Sequence, residues 1–467
     1  MSEERSKNQE QLAFPFAWGS EAPAGDREGA EAPRVRREAE DPAGNQRVME
    51  EVCERENRRK ALKRVRANQG SPGIDGMTVD ELPGYLEQHW PVIREQLLKG
   101  TYEPKPVKRV EIPKPDGGVR KLGIPTVLDR FVQQAVQQVL QKQWDPTFSE
   151  HSYGFRPGRS AQQAVAQAQR YIAEGYGWCV DFDLEKFFDR VNHDKLMGQI
   201  AKRVEDKRLL KLIRAFLNAG VMEDGLVSPS VEGTPQGGPL SPLLSNLVLD
   251  ELDRELERRG HRFVRYADDS NIYVRSERAG QRVMESVKRF ITDKLKLKVN
   301  ESKDPKSTGT PVAKPQERKF LGFSFTSGKE LKRKIAPKAI DRFKERIREI
   351  TAKSRGRSME KVMEELARYV RGWRGYFGFC ETPSVLRDLD SWIRRRVRCA
   401  FWRQWKTGRQ RYAELVRRGV SRESAAKTAG SRCGPWRVSQ SPALDQALSN
   451  AYLTSFGLPS LVEGRNA

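Results

Sequence analysis

The sequence has few of the residues that mark secreted, membrane or metal-cluster proteins. Its 467 residues include only five cysteines and four histidines, and no two cysteines form a CxxC pair. This scatter argues against a disulfide framework and against a zinc finger or ribbon. No apolar run reaches about 18 residues, the length of a membrane span, and the first 45 residues contain no apolar signal core. We therefore expect a cytoplasmic protein with no membrane partner.

Basic residues are in large excess. The chain has 86 Lys and Arg against 63 Asp and Glu, which gives a formal net charge of +23. Such a charge favours polyanionic partners. Residues 1–45 are the exception, because they are acidic, rich in Ala, Gly and Pro, and show no sustained periodicity. This composition predicts a disordered N-terminal arm, so the rest of the chain is more basic than the average.

Hydrophobic periodicity predicts a mixture of helices and short strands. Apolar spacing over 46–100 and beyond residue 337 is helical, whereas alternation on both sides of Asp116-Gly-Gly118 is typical of a hairpin. The remaining predicted elements are helices at 127–145 and 160–174 and strands at 178–182 and 263–274. The chain is therefore expected to be α+β, with an almost wholly helical C-terminal part.

Two acidic segments with similar surroundings carry the clearest chemical signal. The run Tyr266-Ala-Asp-Asp269 lies between alternating apolar residues, which predicts a β-hairpin with two acids at its tip. A bare pair of acids at a turn is usually a solvated loop. Here a second predicted strand ends at Asp183 and is followed by Phe187 and Phe188. Carboxylates that converge from two strand ends can hold two Mg²⁺ ions for nucleotidyl transfer.

The order of sequence blocks extends this signal over most of the chain. The chain resembles the reverse transcriptase/maturase proteins that bacterial group II introns encode, most closely those of class C. The blocks that carry the resemblance are Asn68–Gly76, Arg120–Pro125, Ser152–Ser160, Asp183–Asp189, Gly233–Pro242, Tyr266–Asp269, Leu297–Lys303, Phe320–Phe323, Arg371–Phe377 and Asp390–Arg396.

The resemblance implies a right-hand polymerase fold with fingers, palm and thumb. The palm would be a small antiparallel sheet backed by helices. After the arm at 1–45, which composition alone predicts, the implied domains are fingers and palm at 46–335, a maturase thumb at 336–380, and a basic helical DNA-binding segment at 381–467.

The resemblance also implies a role for individual residues. Asp183, Asp268 and Asp269 match the catalytic metal-binding triad for two Mg²⁺ ions, with Asp183 and Asp268 as the expected direct ligands. The implied dNTP-binding residues are Lys114 and Arg120 at the triphosphate, Phe188 under the sugar, Gln236 at the incoming nucleotide, and Lys303 as a general acid for pyrophosphate.

A basic C-terminal stretch predicts nucleic-acid binding. Ten basic residues and one acid lie between Arg394 and Arg418. A helix over 384–405 would align Arg387, Arg394 and Arg398 on one side, although such a run is most often a solvated face. By resemblance, the partners are intron RNA, target DNA and its primer. The predicted contacts are Arg156, Arg159, Arg371, Trp373, Arg387, Arg394, Arg395 and Arg398.

The C-terminal part lacks the residues of an HNH endonuclease, since no His follows residue 261. This departure fits class C. Three functions remain open at this stage: an intron-encoded polymerase and maturase, a polymerase adopted by the host for repair or defence, and an RNA-binding splicing cofactor without polymerase activity. The intact acids favour the first.

Overall fold

A computed structural model of the chain describes residues 47–113, 119–185, 187–223, 226–228, 233, 237–300, 311–328, 330–352 and 356–462. The chain divides into two compact units between Arg318 and Lys319. The predicted arm at 1–45 lies outside the described residues. Across the described ranges, no helix combines the length and the apolar character that crossing a membrane requires.

The N-terminal unit is mainly helical. Side-chain caps fix where several helices begin: Thr126 accepts from the Asp129 amide, and Ser160 forms a capping box with Gln163. The helices of this unit are α1 Val48–Cys53, α2 Arg55–Ala67, α3 Leu82–Lys99, α4 Val127–Trp144, α5 Ala161–Ala173, α6 Phe187–Arg190, α7 His193–Ala201, α8 Lys207–Asn218, α9 Ser241–Arg258 and α10 Glu277–Phe290. A π-helical turn, Ile291–Leu295, follows α10.

The first sheet of this unit contains the predicted hairpin. Strands β1 (Val107–Pro113) and β2 (Val119–Ile124) pair in antiparallel register, which confirms the hairpin. Two strands that the sequence analysis did not predict, β4 (Val221–Glu223) and β5 (Leu226–Ser228), extend the sheet, with β4 parallel to β1. Each has three residues, too few for a period of two to be recognised.

The second sheet is antiparallel throughout, as predicted for the palm. Its strand order is β6-β7-β3-β8. The strands are β3 Trp178–Phe182, β6 Arg262–Tyr266, β7 Asp269–Val274 and β8 Val312–Ala313. Phe182, Phe263 and Ile272 are buried in a hydrophobic core that this sheet shares with the surrounding helices. The core fixes the sheet whose strand ends carry the acidic residues.

The C-terminal unit is almost wholly helical, as predicted. Its hairpin joins β9 (Phe323–Phe325) to β10 (Arg333–Ile335), and Phe323 packs on Phe377, with ring centroids 5.3 Å apart. This packing groups 319–335 with the helices that follow, whereas the sequence predicts the end of the palm at 335. The helices are α11 Pro337–Ala352, α12 Met359–Phe377, α13 Pro383–Gln404, α14 Gly408–Arg417, α15 Arg422–Ala429, α16 Pro435–Val438, α17 Pro442–Ala447 and α18 Asn450–Ser455.

Candidate active site

The acidic hairpin forms as predicted, but only one of its two acids lies in the loop and the other lies on a strand. Tyr266 pairs with Asp269, so the loop between β6 and β7 consists of Ala267 and Asp268 alone. Asp269 is the first residue of β7. Ala267 has φ of +57°, a left-handed conformation that residues other than glycine seldom adopt. Such a strained tip needs support from the structure around it.

The register between β3 and β7 brings the third acid to the hairpin. Phe182 pairs with Ser270, so continuing the antiparallel register by one residue places Asp183 opposite Asp269. Residues directly opposite in such a pair have Cα atoms about 4.5–5.5 Å apart. The backbone of Asp183 is also held from its other side, because the backbone N–H of Asn300 donates to the backbone carbonyl oxygen of Asp183 at 2.8 Å. The backbone therefore gathers all three acids at one end of the sheet.

These acids suit a cation that completes its shell with substrate and water. Nowhere in the described ranges do three or more His, Cys, Asp or Glu side chains approach closely enough to hold a metal ion unaided. Mg²⁺ is commonly bound by one or two carboxylates together with waters and substrate phosphates. Asp183, Asp268 and Asp269 are each half-buried. The oxygen donors therefore fit Mg²⁺ whose remaining ligands come from water and substrate phosphates.

The loop that begins at Gly233 is fastened to the segment carrying Phe188. The Gly233 amide donates to Val191 O at 2.8 Å, and His193 Nε2 donates to Gly233 O at 2.6 Å. Gly233 has φ of +91°, and a Cβ there would lie 2.9 Å from Phe188 O. Phe188 itself is half-buried and packs edge-on against Phe187. The start of this loop and the predicted sugar gate are thus fixed to each other.

Gly237 lies close to the β1–β2 hairpin. A Cβ on Gly237 would lie 2.7 Å from Gly123 O on β2, so only glycine allows this approach. Arg120 lies on β2, where its backbone pairs with Ile112. The side chain of Arg120 and the whole of Lys114, Gln236 and Lys303 lie outside the described residues. Their predicted contacts with a nucleotide stay predictions.

Two of the predicted nucleic-acid contacts are interior residues. Only 3 % of the Arg156 side chain is exposed, and its guanidinium binds Asp145 at 2.9 Å and the carbonyls of Ser149 and Ser152. Trp373 is buried and packs on Phe343, with ring centroids 4.2 Å apart. We therefore correct both predictions: Arg156 holds its own loop together, and Trp373 belongs to the core of the C-terminal unit.

The predicted arginine stripe on α13 is wrong at two of its three positions. Arg394 binds Asp390 at 2.7 Å and the carbonyl of Asn450, and 7 % of its side chain is exposed. Arg398 binds Asp445 at 2.6 Å and the carbonyl of Leu448. Both side chains are therefore engaged inside the C-terminal unit, where they hold the segment around α17 and α18 against α13.

The other predicted nucleic-acid contacts are more accessible. Arg371 and Arg387 are exposed. Arg395 is half-buried and stacks on Trp436, 3.7 Å from the ring centroid. Arg159 is half-buried beside Tyr153 and donates to Glu150 O. Arg371 and Arg387 are consequently the best placed of this set for phosphate.

Three supporting residues were not singled out by the sequence analysis. Asn300 lies beside Asp183, Gly154 packs against the loop of the acidic hairpin, and the buried Arg265 contacts that loop from below. All three lie in or next to the blocks that carried the resemblance. The contacts of Asn300 and Gly154 join segments that are distant in sequence, and the burial of Arg265 depends on Asp253 on α9, so local sequence patterns gave no signal for them.

Comparison with known sequence families gives two matches in tandem. Residues 112–325 match the family described as reverse transcriptase (RNA-dependent DNA polymerase). Residues 340–419 match the maturase-specific domain of group II introns. Together the two matches cover more than half of the chain. The first contains the acidic hairpin and Asp183, and the second contains α12 and α13.

Curated proteins give similar results. The chain is 30 % identical over 328 residues to the group II intron-encoded protein LtrA of Lactococcus lactis subsp. cremoris. The aligned region covers 56 % of this chain and 54 % of LtrA. It is 39 % identical over 193 residues to protein YkfC of Escherichia coli strain K12, covering 40 % of this chain and 51 % of YkfC. The chain thus spans about half the length of these relatives.

Comparison with solved structures gives weaker matches. They include a partial Cas6-RT-Cas1–Cas2 complex, with a TM-score of 0.34, 24 % identity, and 52 % of this chain and 42 % of that chain covered. Telomerase from Candida albicans has a TM-score of 0.39 and 13 % identity, with 64 % of this chain and 60 % of that chain covered.

Proposed function

Because the chain belongs to the family of reverse transcriptases and maturases encoded by group II introns, we propose that it is an RNA-directed DNA polymerase. Its second proposed role is to bind its intron RNA as a maturase, assisting splicing and mobility. The observation that carries the polymerase proposal is the β3–β7 register, which sets Asp183 opposite Asp269 next to the loop that holds Asp268.

The three carboxylates are proposed to bind two Mg²⁺ ions, with Asp183 and Asp268 as the direct ligands. Two ions held there would supply Lewis-acid stabilisation of the negative charge on the attacking primer 3′-oxygen and on the pyrophosphate that leaves the dNTP. The protein contributes position: the buried sheet fixes Asp183 and Asp269 at its strand ends, and the β6–β7 loop carries Asp268 at its tip.

Residues around the loop at 233–238 are proposed to hold the dNTP. Lys114 and Arg120 would bind the triphosphate through charge-assisted hydrogen bonds, Gln236 would contact the nucleotide, and Lys303 would protonate pyrophosphate. The proximity of Gly237 to β2 supports this grouping, as does the attachment of Gly233 to the segment around Phe188.

The C-terminal unit is proposed to bind intron RNA and target DNA in the cytoplasm of a bacterium. The match to a maturase-specific domain and the exposed basic residues of α12 and α13 support this role. Phosphate contacts by Lys and Arg gain free energy from counterion release, so binding is expected to weaken as salt rises.

The test measures two activities of the wild-type protein. One assay follows dTTP incorporation on poly(rA)/oligo(dT), and the other follows splicing of the flanking intron at low Mg²⁺. We expect both activities. Splicing without incorporation would favour the splicing cofactor without polymerase activity. Incorporation without any effect on splicing would favour a host-adopted polymerase in repair or defence.

Replacing Phe188 tests the proposed sugar gate. Phe188→Ala is expected to raise rNTP incorporation relative to dNTP incorporation about 10- to 100-fold, since the space left by the ring admits a 2′-hydroxyl. The ratio is measured from kcat/KM for the two nucleotides. Phe188→Tyr is the matched control, because it retains the ring and with it the selectivity. An unchanged ratio in Phe188→Ala would remove Phe188 from the nucleotide site.

Two arginines of α13 separate nucleic-acid binding from packing. Arg387→Gln removes an exposed charge and is expected to weaken intron RNA binding and lower the salt slope by about one. Arg394→Gln breaks the ion pair with Asp390 and is expected to lower Tm while the salt slope stays at its wild-type value. The slopes come from filter binding at several salt concentrations. The reverse pattern would restore Arg394 to the binding surface.

A further inference from the structure

A buried ion pair lies directly beneath the acidic hairpin. Arg265 on β6 is 1 % exposed at its side chain and Asp253 on α9 is 0 % exposed. Arg265 Nε donates to Asp253 Oδ1 at 2.8 Å, and Nη2 donates to Oδ2 at 2.6 Å. The geometry is bidentate, which satisfies both carboxylate oxygens. Charges are seldom buried to this extent unless they are paired. Two hydrophobic residues of similar volume in place of a buried ion pair often give a protein that is equally stable, so stability alone does not explain this pair.

The remaining donors of Arg265 reach three other groups. Nη1 donates to Asn246 Oδ1 at 3.0 Å and to the Ala267 carbonyl at 2.9 Å, and Nη2 donates to Ser152 Oγ at 2.8 Å. With the two bonds to Asp253, all five N–H donors of the guanidinium are used. A planar fork with five fixed donors is a property of arginine that lysine lacks.

The network closes on the loop that carries the acids. Asn246 Nδ2 donates to Gly154 O at 2.9 Å, and Gly154 itself packs against the backbone of Tyr266 and Ala267. The loop is therefore held by two contacts: the guanidinium donates to the Ala267 carbonyl, and Gly154 packs against the Ala267 amide nitrogen. The residues that make these contacts, Arg265 and Gly154, are in turn bound by side chains of α9.

The backbone conformation of Ala267 explains why the loop needs these two contacts. Its φ of +57° is unfavourable for a residue with a Cβ and persists only where the surroundings impose it. The residue that follows is Asp268, and the next is Asp269. A change in the Ala267 peptide would therefore move both carboxylates.

We propose that Arg265 is a positioning residue, which holds the Ala267 carbonyl and thereby fixes Asp268 and Asp269 in the arrangement that binds the divalent cations. This inference rests on the proposed polymerase function. Arg265 does not contact the cations or the nucleotide. Its loss is expected to weaken divalent-cation binding and to lower kcat, while the KM for dTTP stays within about threefold of the wild-type value.

The test compares Arg265→Lys with Arg208→Lys. Arg208 also makes ion pairs, with the buried Asp206 and the exposed Glu50, but it joins α8 to α1 and does not contact the hairpin. Both variants are expected to lose thermal stability. Cation binding is followed by titration with Mn²⁺ alone, read by electron paramagnetic resonance, and Asp268→Asn corrects for Mn²⁺ bound elsewhere. Hydrogen exchange of residues 263–270 reports on the hairpin.

In Arg265→Lys we expect Mn²⁺ affinity to fall about tenfold, amide exchange in the hairpin to rise, and kcat to fall about 30-fold. In Arg208→Lys all three should match the wild type at temperatures where the protein is folded. If Arg265→Lys loses stability but keeps wild-type Mn²⁺ affinity and hairpin exchange, Arg265 is a packing residue and the proposal fails.

Two further outcomes are decided by the same design. If Arg265→Lys does not fold, Ser152→Ala takes its place, since it removes one acceptor of Arg265 and leaves the Asp253 pair intact. It is expected to weaken Mn²⁺ binding about threefold, and an unchanged affinity would overturn the proposal. If the wild type makes no DNA, the proposed polymerase function fails, whereas the Mn²⁺ and exchange measurements still test the positioning role.

Discussion

Asp268→Asn is expected to lower dTTP incorporation on poly(rA)/oligo(dT) by at least ~10³-fold, equivalent to about 4 kcal/mol of transition-state stabilisation. The amide has nearly the shape of the carboxylate but lacks the charge that attracts a divalent cation. Because Asp268 lies in the β6–β7 loop and outside the hydrophobic core, the fold should survive. Intron RNA binding and splicing at low Mg²⁺ are expected to remain within about twofold of wild type.

The matched control is Asp194→Asn on α7. Asp194 is 83 % exposed at its side chain and pairs with Arg214, so the same chemical change is made away from the sheet. Its incorporation rate should equal that of the wild type. Loss of both incorporation and splicing in Asp268→Asn, with the control intact, would show that the two activities are not separable. Full incorporation in Asp268→Asn would remove Asp268 from the catalytic centre.

The parts of this site that are local in sequence were predictable. A polar turn between alternating apolar runs predicts the hairpin from residues 263–274 alone, whereas the two-residue length of its loop comes from the structure. Asp183 could be assigned only through the resemblance, because its position opposite Asp269 depends on pairing between β3 and β7, about ninety residues apart. Periodicity predicts that a strand exists but does not specify its partner.

The arginines show the opposite error. The pattern of α13 separates apolar from charged residues, and such a pattern normally means that the charged side faces water. Here Asp445 and the carbonyls of Leu448 and Asn450 cover part of that side. The segment that covers these arginines comes some fifty residues later in the chain, and the sequence of α13 alone does not predict it. The burial of Arg265 could not be predicted for the same reason, since its partner Asp253 is on another element.

Gly154→Ala is expected to lower the incorporation rate about 100-fold although it adds a single methyl group. The Cβ would overlap the Ala267 amide nitrogen and would lie 2.9 Å from the carbonyl carbon of Tyr266. Both atoms belong to the backbone, so no side-chain rotation relieves the contact. The loop must move, and displacement of a catalytic group by about an ångström typically costs about 100-fold in rate.

Gly198→Ala on α7 is the matched control for Gly154→Ala. A Cβ at Gly198 meets no atom within 4 Å. The substitution in a helix interior should stabilise the protein by about 0.5–1 kcal/mol and leave the incorporation rate unchanged.

Because the φ of Gly154 is not left-handed, its requirement for glycine comes from space alone. Gly154→Ser should therefore resemble Gly154→Ala, and both should raise the Mg²⁺ concentration that gives half the maximal rate. Wild-type rates in both variants would mean that the loop carrying Asp268 tolerates displacement, and the tight packing beneath it would then have no part in catalysis.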